Sequence, residues 1–164
     1  MAFLSWRRDY EVGVAQIDAE HHGLFDLINE FHDTHARGDA RKETAQVLNR
    51  LVAYAEEHFQ HEEKLMSDSG YPQLDKQRAQ HSALVASIFE INERLAADTA
   101  KGSTQILPLL KDWLVVHIVK SDMDLGDFLR RRDNQAAAGS EDQEEFKKAA
   151  AAQFATEPEQ PAAS

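Results

Sequence analysis

Imidazole and carboxylate side chains recur in this sequence at positions that fall on one face of a helix. Positions three and four apart share a helix face, and His58 and Glu62 stand where that pattern otherwise places hydrophobic residues. His21, His81 and His117 interrupt the apolar stripes of three other helical stretches in the same way. Buried groups of these two types at such spacing are typical of metal ligands.

Two more polar residues extend this set. Asp122 is one helical turn from Ile118 and Leu125, and Gln77 shares the inner face of its helix with His81. A single histidine on an apolar face is usually a core residue bonded to a neighbour. Here four helical stretches each contribute ionisable groups, and burying these groups costs several kcal/mol apiece unless a shared cation compensates.

The numbering places the four histidines at nearly a common height. His21 and His58 are nearly equally far from the first predicted turn, and His58 and His81 from the second, while His117 is offset from His81 by about 4.5 Å across the third. Four imidazoles and two carboxylates exceed the ligand set of one zinc ion and indicate two ions bridged by carboxylates. Iron is the natural choice, with manganese and zinc left open by ligand type, and the lack of cysteine excludes thiolate sites.

The helices that must position these groups follow from the periodicity. With 7 glycines, 4 prolines and almost no period-two alternation, the sequence predicts an all-α fold. The short connections favour an up-down-up-down antiparallel four-helix bundle with an irregular N-terminal arm over residues 1–16. We expect Asp18 to cap the first helix and Pro108 to lie near the first turn of the fourth. The predicted helices run from Asp18 to Arg37, Arg41 to Ser67, Gln73 to Asp98, and Ser103 or Thr104 to Arg132, with Gly38, the segment 69–72 and Gly102-Ser103 as breaks.

Composition separates a bundle over residues 1–132 from an Ala- and Glu-rich tail over 133–164. We expect the tail to be loosely attached or disordered, with an isolated helical stretch over 144–154 that contacts an unknown protein. The net charge of −11 argues against nucleic acid and anionic membranes as partners. Arg7 and Arg8 interrupt any signal-peptide core, and no apolar run is long enough to span a membrane, so we expect a cytoplasmic protein. The high net charge favours a monomer.

These residues resemble the bacterial hemerythrin family over Phe3 to Arg132. The resemblance rests on Trp6, the run Val12-Gly13-Val14 with Ile17-Asp18, the segment Asp18-Ala-Glu-His21, the segment His58-Phe59-Gln-His-Glu62-Glu63-Lys-Leu-Met66, the turn Gly70-Tyr71-Pro72, and the segment Trp113-Leu114-Val-Val-His117-Ile118-Val-Lys-Ser-Asp122. By this resemblance His21 and His58 bind one non-haem iron and His81 and His117 the other. Glu62 and Asp122 bridge them beside an oxo or hydroxo group, and dioxygen binds reversibly as a peroxide, leaving both irons ferric.

The sequence departs from the family at Gln77, where the family carries a third histidine on the second iron. Three roles are open for Gln77: a weak amide ligand, a holder of metal-bound water, or a space filler. The departure implies a weaker second iron site that oxidises faster. Of the remaining histidines, His22, His32 and His35 lie off the ligand positions, and His61 alone is a candidate supporting group or substitute ligand.

The leading functional prediction is a binding protein rather than an enzyme: reversible dioxygen binding for storage, delivery or sensing. The alternative is a di-iron enzyme that reduces peroxide or reacts with nitric oxide at an open second iron. Iron storage or a purely structural metal bundle is the weaker third reading. No nucleophile or general acid and base is evident, so the sequence assigns no catalytic residues.

Overall fold

The structure, a computed structural model, describes residues 2–37, 41–97 and 102–154. In this part of the chain the expected all-α, up-down-up-down bundle with an N-terminal arm is confirmed. The helices are α1 Ala15–Ala36, α2 Arg41–Ser69, α3 Leu74–Ala97, α4 Gly102–His117 and α5 Met123–Phe154, with a π-helical segment Ile118–Asp122 joining α4 to α5. The apolar stripes of α1 to α4 meet in one core.

The connection between α2 and α3 is a tight turn, as expected. Gly70 takes a φ of 69°, in the left-handed region that glycine adopts without steric cost. The Tyr71 N–H donates to the carbonyl of Met66 at 2.9 Å, which satisfies a carbonyl at the end of α2. This turn sets the register between the helices that carry His58 and His81. The expected helix boundaries at Gly38 and Asp98 lie outside the described residues.

The beginning of α1 corrects the expected role of Asp18. The helix begins at Ala15, and its cap, Val14, makes no side-chain capping hydrogen bond. Asp18 lies in the first turn, where its carboxylate accepts the N–H groups of Val12 at 2.7 Å and Gly13 at 3.0 Å. Asp18 therefore fixes the arm to α1 rather than capping the helix.

The arm is held along α1 by a second paired contact. The Leu4 N–H donates to Asn29 Oδ1, and Asn29 Nδ2 donates to the Leu4 carbonyl, both at 2.8 Å. Trp6 then packs on the ring of His22 at 4.0 Å and on Phe25 at 5.1 Å between ring centroids. The arm thus covers the side of α1 next to the His21 position.

The fourth helix of the bundle differs from the expectation in two ways. Pro108 lies inside α4 beyond its first turn, and the π segment interrupts the helix where regular α-helix was expected. In this segment the N–H of Met123 bonds to the carbonyl of Ile118, five residues back. A π-helix has more residues per turn than an α-helix, so different side chains share a face in this segment.

The helix expected to end near Arg132 continues to Phe154, with exposed side chains over residues 130–149. The chain divides into two compact units, one ending at Asp127 and the other beginning at Phe128. The division of the sequence into a bundle and a tail at residue 132 stays a prediction. Among the described helices, none is both long and apolar enough to cross a membrane.

Candidate metal centre

Two imidazoles from α1 and α2 form the first half of the site. The rings of His21 and His58 lie edge to face, 4.8 Å apart between centroids, and both are buried. Their ring nitrogens, together with a carboxylate oxygen of Glu62, lie within 4.8 Å of one another. This triad has the donor types and the spacing of a metal site.

Two imidazoles from α3 and from the end of α4 form the second half. The Nε2 atoms of His81 and His117 face each other at 3.0 Å, and these nitrogens with Glu62 form another triad within 4.8 Å. Phe59 stacks on His81 at 3.9 Å, and Trp113 stacks on His117 at 4.3 Å. The two aromatic rings hold the imidazoles in place.

Two carboxylates lie between the halves. Glu62 Oε2 is 3.7 Å from His58 Nε2 and 3.4 Å from His81 Nε2. Asp122 places Oδ2 3.3 Å from His21 Nε2 and Oδ1 3.2 Å from His117 Nε2, so each of its oxygens faces a different half. Both side chains are fully buried. The structure thus brings together all six of the predicted imidazole and carboxylate ligands.

The π segment explains how Asp122 reaches the site. In a regular α-helix, residues five positions apart point about 140° away from each other. Because the segment Ile118–Asp122 winds more widely, Asp122 lies over the same face as His117. Sequence reasoning widened the apolar face to include Asp122 but missed the π segment. The spacing of five between two ligands was the available signal.

The pKa shifts of the clustered side chains suit the binding of a cation. Burial, with repulsion from Asp122 next, raises the pKa of Glu62 well above its ordinary value. Burial and the adjacent His21 lower the pKa of His58 to about 4, so its imidazole is neutral at pH 7 and free to bind a metal. Burial also lowers the pKa of His81.

Several buried polar atoms at the centre do not meet hydrogen-bond geometry within the described part of the chain: both carboxylate oxygens of Glu62 and of Asp122, and both ring nitrogens of His21. The imidazoles and carboxylates lie at ion-pair distance from one another without well-formed hydrogen bonds between them. Leaving such groups unsatisfied costs about 1–3 kcal/mol each. Two cations shared by these atoms remove that cost, so the residues present fit a pair of metal ions.

Two glutamates support the ligands from behind, and sequence reasoning did not single them out. Glu20 Oε2 accepts His58 Nδ1 at 2.9 Å, and Glu63 Oε1 accepts His81 Nδ1 at 2.9 Å. Such bonds fix the tautomer so that Nε2 faces the metal. Although burial opposes it, the hydrogen bond from His58 lowers the pKa of Glu20 and keeps it anionic. Each glutamate is next to a ligand in sequence, which was the only signal.

His61 contacts one of these two supporting glutamates. Its Nδ1 lies 2.7 Å from Glu20 Oε1, and its side chain is 39% exposed. It is therefore placed outside the ligand cluster, with Glu20 between it and His58. Of the other histidines, His22 is exposed under Trp6, while His32 and His35 are half-buried away from the ligands.

Gln77 is 2% exposed, and its Oε1 makes no hydrogen bond in the described structure. It lines a cavity of about 370 Å³ between α3 and α4, together with His117. The residues Gln73, Lys76, Gln80, Ala83, Trp113, Val116, Lys120, Ser121 and Asp124 complete the lining. This cavity connects the neighbourhood of the second half with the surface.

Comparison with known proteins agrees with this geometry. Residues 12–129 match the family described as Hemerythrin, the hemerythrin HHE cation binding domain. The chain is 32% identical to a bacteriohemerythrin of Methylococcus capsulatus over 123 residues, covering 74% of this chain and 93% of that protein. It is also 32% identical to a bacteriohemerythrin of Pseudomonas aeruginosa over 130 residues, covering 79% of this chain and 84% of that protein.

A myohemerythrin of Theromyzon tessulatum is 32% identical over 117 residues, covering 71% of this chain and 86% of that protein. Among solved structures, wild-type hemerythrin aligns with a TM-score of 0.72 at 32% identity, covering 78% of this chain and 98% of that chain. A hemerythrin variant, L114A in that protein's own numbering, aligns with the same TM-score over 79% of this chain.

Proposed function

This chain belongs to the hemerythrin family, and we propose that it binds dioxygen reversibly, for storage, delivery or sensing, through the six buried ligands described above. Membership makes it a non-haem di-iron protein that binds dioxygen. The ligand assignment and the physiological role are our proposal. We also place the protein in the cytoplasm.

The observation that carries the ligand assignment is the sharing of carboxylates between two imidazole pairs. His21 and His58 would hold one iron, and His81 and His117 the other. Glu62 belongs to both triads, and Asp122 presents one oxygen to each half. When bound, the iron pair supplies and takes back the electrons that dioxygen needs for reversible binding. The protein orients the imidazoles through Glu20 and Glu63 and through the rings of Phe59 and Trp113, which stack on His81 and His117.

The experiment for this assignment is reconstitution with iron(II) in the absence of air. We expect two irons per chain and a visible absorption band that appears with dioxygen and fades when it is removed. Replacing His21 or His81 with alanine should lower the iron content, whereas replacing the exposed His22 should not. Equal iron content in all three variants would refute the assignment.

We propose that the second iron position is altered and that Gln77 takes part in it. A buried amide oxygen without a partner costs about 1–3 kcal/mol, which argues against Gln77 as a simple space filler. Contact with the second iron, either directly or through a water molecule, would satisfy that oxygen. Either arrangement would bind iron more weakly than the imidazole that the family carries there.

This difference has a direct test. The variant Gln77→His should slow the spontaneous oxidation of the ferrous protein in air and raise its iron content. The control is Gln73→His, the same change at an exposed position lining the same cavity. If the oxidation rate and the iron content of Gln77→His were unchanged, Gln77 would not be the cause of a weaker second iron site.

An enzyme that reduces peroxide or reacts with nitric oxide is the second candidate. The cavity lined by Gln77 and His117 favours it, because that cavity gives small molecules a route to the second half. Rapid passage to the ferric form with turnover of added peroxide would support this candidate. A stable spectrum in air, without turnover, would support oxygen binding.

A further inference from the structure

A groove separate from the Gln77 cavity runs between α2 and α3. It consists of two hollows, of about 430 and 170 Å³, which share Glu56 and Phe89. Small side chains on α3, Ser82 and Ala86, leave the space open. The other lining residues are Leu48, Asn49, Val52, Ala53, Phe59, Gln60, Glu63, His81, Val85 and Ile88.

The floor of this groove is a proposed metal ligand. His81 lines the larger hollow, and the Phe59 ring stacks on it at 3.9 Å with 6° between the planes. Glu63, which accepts His81 Nδ1, is also part of the wall. A molecule seated in this groove would therefore touch a ligand of the second iron and the aromatic ring stacked on that ligand, without reaching the buried centre itself.

The rim of the groove carries an exposed aromatic residue and negative charge. Phe89, a large apolar side chain that is 54% exposed, lies where the two hollows join. Glu56 and Glu63 are the charged residues among the described lining, which contains no lysine or arginine. Arg78, at the His81 end, is paired with Glu63 at 3.3 Å. The net charge of −11 adds to the negative field.

From this arrangement we propose that the groove is the docking surface for a one-electron redox protein with a basic face. The inference rests on the proposed ligand role of His81. Phe89 offers the apolar anchor, the exposed Glu56 and the net negative charge attract an oppositely charged partner, and Phe59 and His81 link the contact to the iron. Each electron that passes oxidises one iron(II) to iron(III) and reduces the partner's cofactor by one electron, so two successive contacts oxidise the pair. Re-reduction reverses both steps.

The test uses a basic c-type cytochrome as probe. The iron(II) protein, prepared without air, is mixed with the ferric cytochrome, and reduction of the haem is followed by stopped flow at several salt concentrations. We expect a second-order rate constant that falls as salt rises. Phe89→Ser should lower this constant about tenfold, as expected for loss of an aromatic anchor. Glu56→Gln should lower it about twofold at low salt and leave it unchanged at high salt.

Matched controls separate docking from general effects. Phe146→Ser removes another exposed phenylalanine and Glu43→Gln another exposed carboxylate, both outside the groove, and neither should change the rate. Binding of the fully reduced cytochrome to the fully reduced protein, measured by calorimetry, should weaken only in the groove variants. Oxidation by ferricyanide, a small reagent, should be equal in all variants.

Equal rates and equal cytochrome binding in Phe89→Ser and Phe146→Ser would overturn the docking proposal, as would a rate that does not depend on salt. Iron content and the oxygen-dependent spectrum are recorded on the same samples. If iron content and spectrum are normal and the groove variants still react with the cytochrome at the wild-type rate, only the docking inference is refuted. Absence of iron from the protein would refute the ligand assignment, and with it the docking inference that rests on that assignment.

Discussion

Replacing Glu63 with glutamine should weaken the second iron site while leaving the first almost unchanged. Glu63 Oε1 accepts His81 Nδ1 at 2.9 Å, and an amide oxygen in its place still accepts that bond without the negative charge. The variant therefore keeps the geometry and removes the electrostatic support of the imidazole. Glu20 plays the same part for His58 in the first half.

The magnitude follows from the surroundings of Glu63. Removing a carboxylate that supports a metal-bound histidine costs 10- to 100-fold in metal affinity, about 1.4–2.7 kcal/mol. The Glu63 side chain is 24% exposed and also paired with Arg78, so solvent and the guanidinium already screen its charge. The lower end of the range applies, and we expect about a tenfold loss.

The assay is titration of the air-free protein with iron(II) in competition with a chelator of known affinity. The wild type should show two unequal binding steps, of which Glu63→Gln weakens the second and Glu20→Gln the first. The control is Glu57→Gln, an exposed glutamate on the same helix. A Glu63→Gln protein that loses affinity equally at both steps, or binds iron like Glu57→Gln, would refute the assignment of Glu63 to one half.

Three further predictions concern the frame of the site. Gly126→Ala should destabilise the protein by about 1–3 kcal/mol in urea unfolding, because its Cβ would lie 2.3 Å from the backbone carbonyl of Val12; Gly139→Ala, which meets nothing within 4 Å, should have no such cost. Asn29→Ala loses both hydrogen bonds to Leu4, about 1 kcal/mol each, and should speed tryptic cleavage within the arm. Removal of iron with a chelator should lower the thermal midpoint, since iron(II) held at 100 times its dissociation constant stabilises the fold by about 2.7 kcal/mol; an unchanged midpoint would contradict metal binding by the folded state.

The sequence predicted the bundle and the convergence of the six ligands because both follow from helix periodicity and from the cost of burying charge. His58 and Glu62 are four positions apart on a regular helix, so their shared face was evident. The position of Asp122 in the site depends on the π-helical segment, a local change of helix type that residue periodicity does not reveal. Asp18 was wrongly expected to be a helix cap, because its bonds to Val12 and Gly13 depend on the path of the irregular arm.

The supporting glutamates show a different limit of sequence reasoning. In the sequence, a glutamate next to a ligand looks the same as an ordinary solvent-exposed glutamate. Only the packing of α1 on α2 shows that Glu20 reaches His58, and only that of α2 on α3 shows that Glu63 reaches His81. These distances depend on the relative rotation of neighbouring helices, which the spacing of residues within one helix does not fix.

The two supporting glutamates also differ in their second partners, and this difference bears on the alteration that we propose for the second iron position. Glu20 is shared with the imidazole of His61, whereas Glu63 is shared with the guanidinium of Arg78, a permanent cation. A carboxylate paired with a permanent cation gives less negative charge to its imidazole, so His81 is the weaker donor of the two. The second half combines this weaker donor with an amide in place of an imidazole at Gln77. Both departures act in one direction, so under the proposed ligand assignment we expect the second iron to be the more weakly held of the two and the one whose oxidation rate these residues change.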